Sequence, residues 1–72
     1  MTNKKLLRAK LILAEMTDGE LAEKLGISRQ SISMKLNCHR PFNSNEISKI
    51  AHILKLEPKE VMEIFFDHNV DE

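Results

Sequence analysis

No Trp or Tyr, three Phe, two Gly, two Pro and a single Cys occur in the 72 residues, and each scarcity removes a class of protein. With few aromatics there are no stacking platforms for unpaired bases, and strands are poorly supported. The lone Cys38 closes no internal disulfide, so helix packing must hold the chain in a reducing compartment, and the cytoplasm is the expected location. The longest apolar run near the start, Leu11-Ile12-Leu13-Ala14, is far short of the roughly 20 residues of a membrane helix. It also lacks the flanks and cleavage site of a secretory signal. An excess of one charge is missing as well. Eleven Lys and Arg face eleven Asp and Glu for a net charge of zero, which argues against a strong, indiscriminate polyanion binder. At this size only about 60% of the unfolded chain's surface can be buried, leaving one core and no deep substrate pocket. The chain is therefore expected to be neither an enzyme nor a small-molecule receptor, and to use no cofactor.

What remains is rich in Leu, Ile, Lys, Glu and Ala, a composition that favours helix. Four helix starts are legible. Each has an apolar residue before the cap and a second one five positions later, able to pack back on it as a hydrophobic staple. The sets are Met16, Thr17 and Leu21; Ile27, Ser28 and Ile32; Phe42, Asn43 and Ile47; and Leu56, Glu57 and Val61. Glu20 and Glu46 sit where they complete capping boxes with Thr17 and Asn43, and Pro58 occupies a first helical position, where its missing N–H costs nothing. With an N-terminal amphipathic segment, the spacing predicts five helices at about 3–15, 18–25, 29–37, 44–55 and 58–66. Their core stripes are Leu7, Leu11 and Ala14; Leu21, Ala22 and Leu25; Ile32 and Leu36; and Ile47, Ile50, Ala51 and Leu54. One domain is expected over 1–66, followed by a frayed acidic tail, 67–72.

The segment from Asp18 to Asn37 is the most informative. Two short helices are joined by Leu25-Gly26-Ile27-Ser28, and Gly26 is free to take a positive φ at the end of the first. So tight a connection sends the second helix steeply across the first. Ala22 is small enough for a close approach and Ile32 plugs the space between, which predicts a helix-turn-helix.

The stretch Leu-Ala-Glu-Lys-Leu-Gly-Ile-Ser-Arg-Gln-Ser-Ile-Ser, positions 21–33, resembles the helix-turn-helix of phage repressors, Cro proteins and the wider Xre-type regulators. Residues 36–47 are similar to the loop and fourth helix of small Cro-like repressors, and residues 50–56 to the end of that helix, so the resemblance covers roughly residues 5–66. It implies an all-α, five-helix, lambda-repressor-like domain that binds a palindromic double-stranded DNA operator as a transcriptional regulator. Repression would follow from occlusion of a promoter. In that family the N-terminal half of the third helix enters the major groove, which would aim Arg29, Gln30, Ser33 and Met34 at base edges. Arg is suited to guanine O6 and N7, Gln to adenine, and Met to a thymine methyl. Thr17, Ser28, Lys35, Asn37, His39, Arg40, Asn43 and Ser44 would then contact phosphate. Thr17, Ser28 and Asn43 have a plainer reading as helix caps alone, and Arg29 and Gln30 as solvated residues at a helix start. Three positions depart from the family pattern: Asp18 where many members carry Gln, Cys38 where Gly is common, and Lys35 where a buried apolar residue is usual.

The three His and one Cys do not have ligand spacing, so no metal is expected. Nor is Cys38 expected to be a nucleophile. The last helix is more apolar than one buried stripe requires, and two readings follow. Met62, Phe65 and Phe66 form a two-fold subunit contact, or Val61, Ile64 and Phe65 simply close the core. Charge is unevenly distributed beneath the zero total. Lys4, Lys5, Arg8 and Lys10 make the start basic, and residues 27–45 hold Arg29, Lys35 and Arg40 with no acid, while the acids gather in 11–26 and 46–72. A DNA reader with weak non-specific binding fits this pattern. The alternatives are an antitoxin-like or other protein-partner regulatory module on the same fold, and a helical interaction domain that does not bind DNA.

Overall fold

In a computed structural model, residues 2–66 are described. The helices are α1 (Lys4–Leu13), α2 (Asp18–Leu25), α3 (Arg29–Leu36), α4 (Ser44–Ile53) and α5 (Pro58–Phe65), with no strand among the described residues. Their order and type match the expectation from sequence. The expected tail, 67–72, lies outside the described residues.

Each helix begins where its cap chemistry places it. Thr17 Oγ1 accepts from Glu20 N–H at 3.1 Å while the Glu20 carboxylate accepts from Thr17 N–H at 2.9 Å. Asn43 and Glu46 exchange the same pair of bonds at 2.8 and 2.9 Å, and Ser28 Oγ accepts from Ser31 N–H at 3.1 Å. At α5 the Glu60 carboxylate accepts from Glu57 N–H at 2.9 Å. Asn3, not singled out from sequence, caps α1 through the N–H of Leu6 at 3.1 Å. These side chains satisfy amide donors that an unassisted helix start leaves without partners.

The helix ends share a device that sequence revealed only once. After each of α1 to α4 a residue adopts left-handed φ: Glu15 at 54°, Gly26 at 73°, Cys38 at 64° and Lys55 at 55°. In every case its N–H reaches the carbonyl three residues back, and the next N–H reaches five back, as in Met16 to Leu11, Ile27 to Ala22, His39 to Met34 and Leu56 to Ala51. This is the Schellman closure. Met16, Ile27 and Leu56 thus end one helix and stand just before the cap of the next, and all three pack against the core. The chain turns sharply in these linkers without a long loop. Only Gly26 takes its φ without steric cost, and the non-glycine residues at the other three positions carry strain.

The core consists of Leu7 and Leu11 of α1, Leu21, Ala22 and Leu25 of α2, Ile32 and Leu36 of α3, Phe42, Ile50 of α4, and Ile64 and Phe65 of α5. The expected stripes are present with two corrections: Ala51 is half-buried and outside the core cluster, and Ala14 is exposed and lies beyond α1, which ends at Leu13. The helix closes there because Glu15 N–H bonds to Ile12 O and Met16 N–H to Leu11 O. Helices α2 and α3 pack most extensively on one another; α1 lies on α3 and α5, and α4 on α2 and α5. Ala22, 1% exposed, and Ile32, fully buried, fill the α2–α3 contact.

Candidate nucleic-acid interface

The turn Gly26-Ile27-Ser28 and the buried pair Ile32 and Leu36 fix which side of α3 faces outward. Arg29, Gln30 and Ser33 are exposed, as is Asn37 just beyond the helix, and Met34 is half-buried. At offsets of one, four and eight from Arg29 these exposed residues share one face of a helix. No acidic side chain occurs between Ile27 and Asn45. The surface therefore offers a guanidinium, an amide and a hydroxyl with no carboxylate from the same segment.

Arg29 is not extended straight into solvent. Its guanidinium lies against the first turn of α2, where a Cβ on Gly19 would stand 3.0 Å from Nε and Nη2 and 3.1 Å from Cζ. Beside it, Asp18 pairs with Arg8 of α1 at 2.6 Å, both side chains being 44% exposed. At that exposure the pair contributes at most about 1 kcal/mol to stability. The Asp18 carboxylate thus carries its own counter-ion.

The residues expected to touch phosphate divide into groups. Thr17, Ser28 and Asn43 are exposed caps, and Ser44, His39 and Arg40 are exposed as well. The Asn37 side-chain amide donates to Ser33 O at 2.9 Å, which ties it to the end of α3. Lys35 is a correction. Its ammonium pairs with Glu46 of α4 at 2.5 Å, and the two side chains are only 14% and 7% exposed, so it is committed to an internal partner. Burial, the largest influence, pushes the Glu46 carboxyl up. Hydrogen bonds from Lys35 and the Asn43 N–H, with the charges of Lys35 and Lys49, outweigh it and hold the group below its ordinary value. Lys35 thus occupies a largely buried position by bringing a carboxylate in with it.

Two further expectations are settled by packing. Cys38 keeps the left-handed backbone that Gly often supplies, and its Sγ lies 3.4 Å from the Thr2 carbonyl. Phe65, expected at a subunit contact, is 4% exposed and meets Phe42 edge to face with ring centroids 5.7 Å apart. It belongs to the core, while Met62 and Phe66 remain 56% and 45% exposed. Sequence reasoning missed Gly19, Arg8 and Glu46 as partners of site residues. Lys35 at an apolar position was the one signal available, since a buried cation requires an anion.

Beside the C-terminal end of α3, a groove of about 390 Å³ runs between Lys4, Lys5, Arg8, Ala9 and Ile12 of α1 and Leu36 and Asn37. The basic start of the chain therefore borders the exposed face of α3. With this geometry in view, comparison of the sequence with known families is informative: the family described as "Protein of unknown function (DUF739)" matches residues 3–68. The chain belongs to that family. No curated protein matches it. The matched span contains all five helices found among the described residues of this DUF739 protein. None of those helices is long and apolar enough to cross a membrane.

Proposed function

We propose that this DUF739 protein is a sequence-specific DNA-binding transcriptional regulator of the Cro type, with α2 and α3 as its helix-turn-helix in a lambda-repressor-like domain. The observation that carries the reading is the acid-free exposed face of α3, bearing Arg29, Gln30 and Ser33 and bordered at its C-terminal end by the basic start of α1. An eight-residue helix is about 12 Å long, comparable with the roughly 12 Å width of a major groove. Arg29 and Gln30 carry the donors that discriminate base edges, with Ser33 and the accessible part of Met34 beside them. Thr17, Ser28, Asn37, His39, Arg40, Asn43 and Ser44 flank that face and approach phosphate, and Lys35 is left out of the set.

The described residues span 31 Å in their longest dimension, whereas half-sites on a palindrome lie about 34 Å apart. One protomer presents one α3, so a palindromic operator calls for two copies. The exposed Met62 and Phe66 supply an apolar contact for a homodimer. The same pair favours the second reading, a protein-partner module of the antitoxin kind.

Selection of bound duplexes from random DNA, followed by titration at 50 and 200 mM salt, tests the proposal. With six or more phosphates engaged, affinity for the selected site should fall about 10³-fold or more over that range. Absence of salt-dependent binding to any duplex overturns it. Arg29→Ala should weaken the selected site by about 1–3 kcal/mol and relax a single base position, whereas an equal loss on random DNA would assign Arg29 to phosphate.

A further inference from the structure

Gly19 has no backbone reason to be glycine. It lies inside α2, and of the two glycines only Gly26 has a φ in the left-handed region. In a helix glycine is less favourable than alanine, because it orders more backbone freedom on folding. What the missing side chain provides is space for Arg29. The nearest atoms to a Cβ there are Nε and Nη2 at 3.0 Å and Cζ at 3.1 Å, all of them from the one guanidinium. Spacing of that kind is tighter than ordinary van der Waals contact, so a Cβ at this position requires the guanidinium to give by a few tenths of an ångström.

Two other features keep the guanidinium available. Of the two acids that flank Gly19, Asp18 is engaged by Arg8 at 2.6 Å and Glu20 accepts from Thr17 N–H at 2.9 Å. The Arg29 side chain forms no ion pair or hydrogen bond among the described residues. Its fork of donors is laid against α2 without being consumed. A free arginine side chain samples many rotamers, and narrowing that set in advance lowers the entropy lost when the fork meets a rigid acceptor pair.

We propose that Gly19 is a positioning residue for Arg29, seating its guanidinium on the first turn of α2 and thereby setting which base the arginine reads. The seat itself follows from contacts within the chain, while its consequence for base reading rests on the DNA-binding function proposed above. Gly19 touches no nucleic acid in this scheme. It acts through Arg29, and the chain tolerates its replacement because the displaced atoms belong to a flexible side chain.

The test is Gly19→Ala, compared with wild type, Arg29→Ala and the double variant. The melting temperature of Gly19→Ala should equal or exceed that of wild type, since alanine is the better helix former. By NMR, wild-type Arg29 Hε should show a nuclear Overhauser effect to the Gly19 α-protons, and in Gly19→Ala the Hε resonance should shift and its contacts to the first turn of α2 should weaken. In selection from random DNA, Gly19→Ala should relax the same base position as Arg29→Ala, with a loss on the wild-type site up to the roughly 5- to 150-fold expected of Arg29→Ala. The double variant should be no worse than Arg29→Ala. Wild-type selectivity retained in Gly19→Ala overturns the proposal, as does absence of the Gly19–Arg29 effect in the wild type. Should wild type select no sequence, the DNA-reading function fails while the NMR comparison still decides the seat.

Discussion

The Lys35–Glu46 pair sits where an unpartnered charge is expensive, because the 14% and 7% exposure of its side chains leaves little water for either group. Lys35→Met should therefore cost about 2–3 kcal/mol in urea denaturation, mostly from the carboxylate left behind. Adding Glu46→Gln should recover most of that loss. The amide oxygen still accepts the Asn43 N–H that Glu46 now takes at 2.9 Å, and no buried charge remains. The same carboxylate gives the protein an acid-sensitive term. Its folded pKa is lowered, so its contribution is fully present above the unfolded value of about 4.3 and is lost as pH falls through the lower folded value. Glu20 and Glu60 are also lowered, first by the backbone hydrogen bonds they accept from Thr17 and Glu57, and they add to the trend in the same direction. Melting temperature should fall between pH 5 and pH 3, and less steeply in Lys35→Met/Glu46→Gln than in wild type. An identical slope in both proteins would remove Glu46 from the acid response.

Helix boundaries are governed by local chemistry at both ends, with different legibility. A start depends on a polar side chain and the residue three places on, which is why Thr17 with Glu20 and Asn43 with Glu46 are readable as pairs before any fold is known. An end depends on a backbone angle, and only glycine advertises that angle. Gly26 does so, whereas Glu15, Cys38 and Lys55 adopt it with side chains attached. Opposite substitutions should consequently have opposite signs. Gly26→Ala, where a Cβ meets nothing within 4 Å, should destabilise by about 1 kcal/mol through strain alone. Lys55→Gly and Glu15→Gly should each leave stability equal or raise it by up to about 1 kcal/mol. Chemical denaturation of the three variants checks this, and a destabilising Lys55→Gly would mean the side chain contributes more than its backbone angle costs.

Across the whole molecule, the last helix is where apolar residues are divided between core and surface. Phe65→Ala should cost about 3–5 kcal/mol, the usual consequence of emptying an aromatic core position. Phe66→Asp should leave monomer stability within about 0.5 kcal/mol while weakening any self-association seen by sedimentation. A sedimentation profile unchanged by Phe66→Asp would exclude this face as the subunit contact. Periodicity alone could not sort the two rings, because adjacent positions at a helix end both fit an apolar pattern until Phe42 claims Phe65. The neutral charge is resolved in a similar way. Composition reports only that the charges cancel, yet folding places Lys4, Lys5 and Arg8 beside the end of α3 and draws Lys35 inward to Glu46. Element order, helix starts, the Gly26 turn and most of the core were legible because each depends on residues within a turn or two of one another. The partners Arg8 with Asp18, Gly19 with Arg29, and Lys35 with Glu46 were not. They lie ten or eleven positions apart on different helices, and only the packing of those helices brings their side chains together.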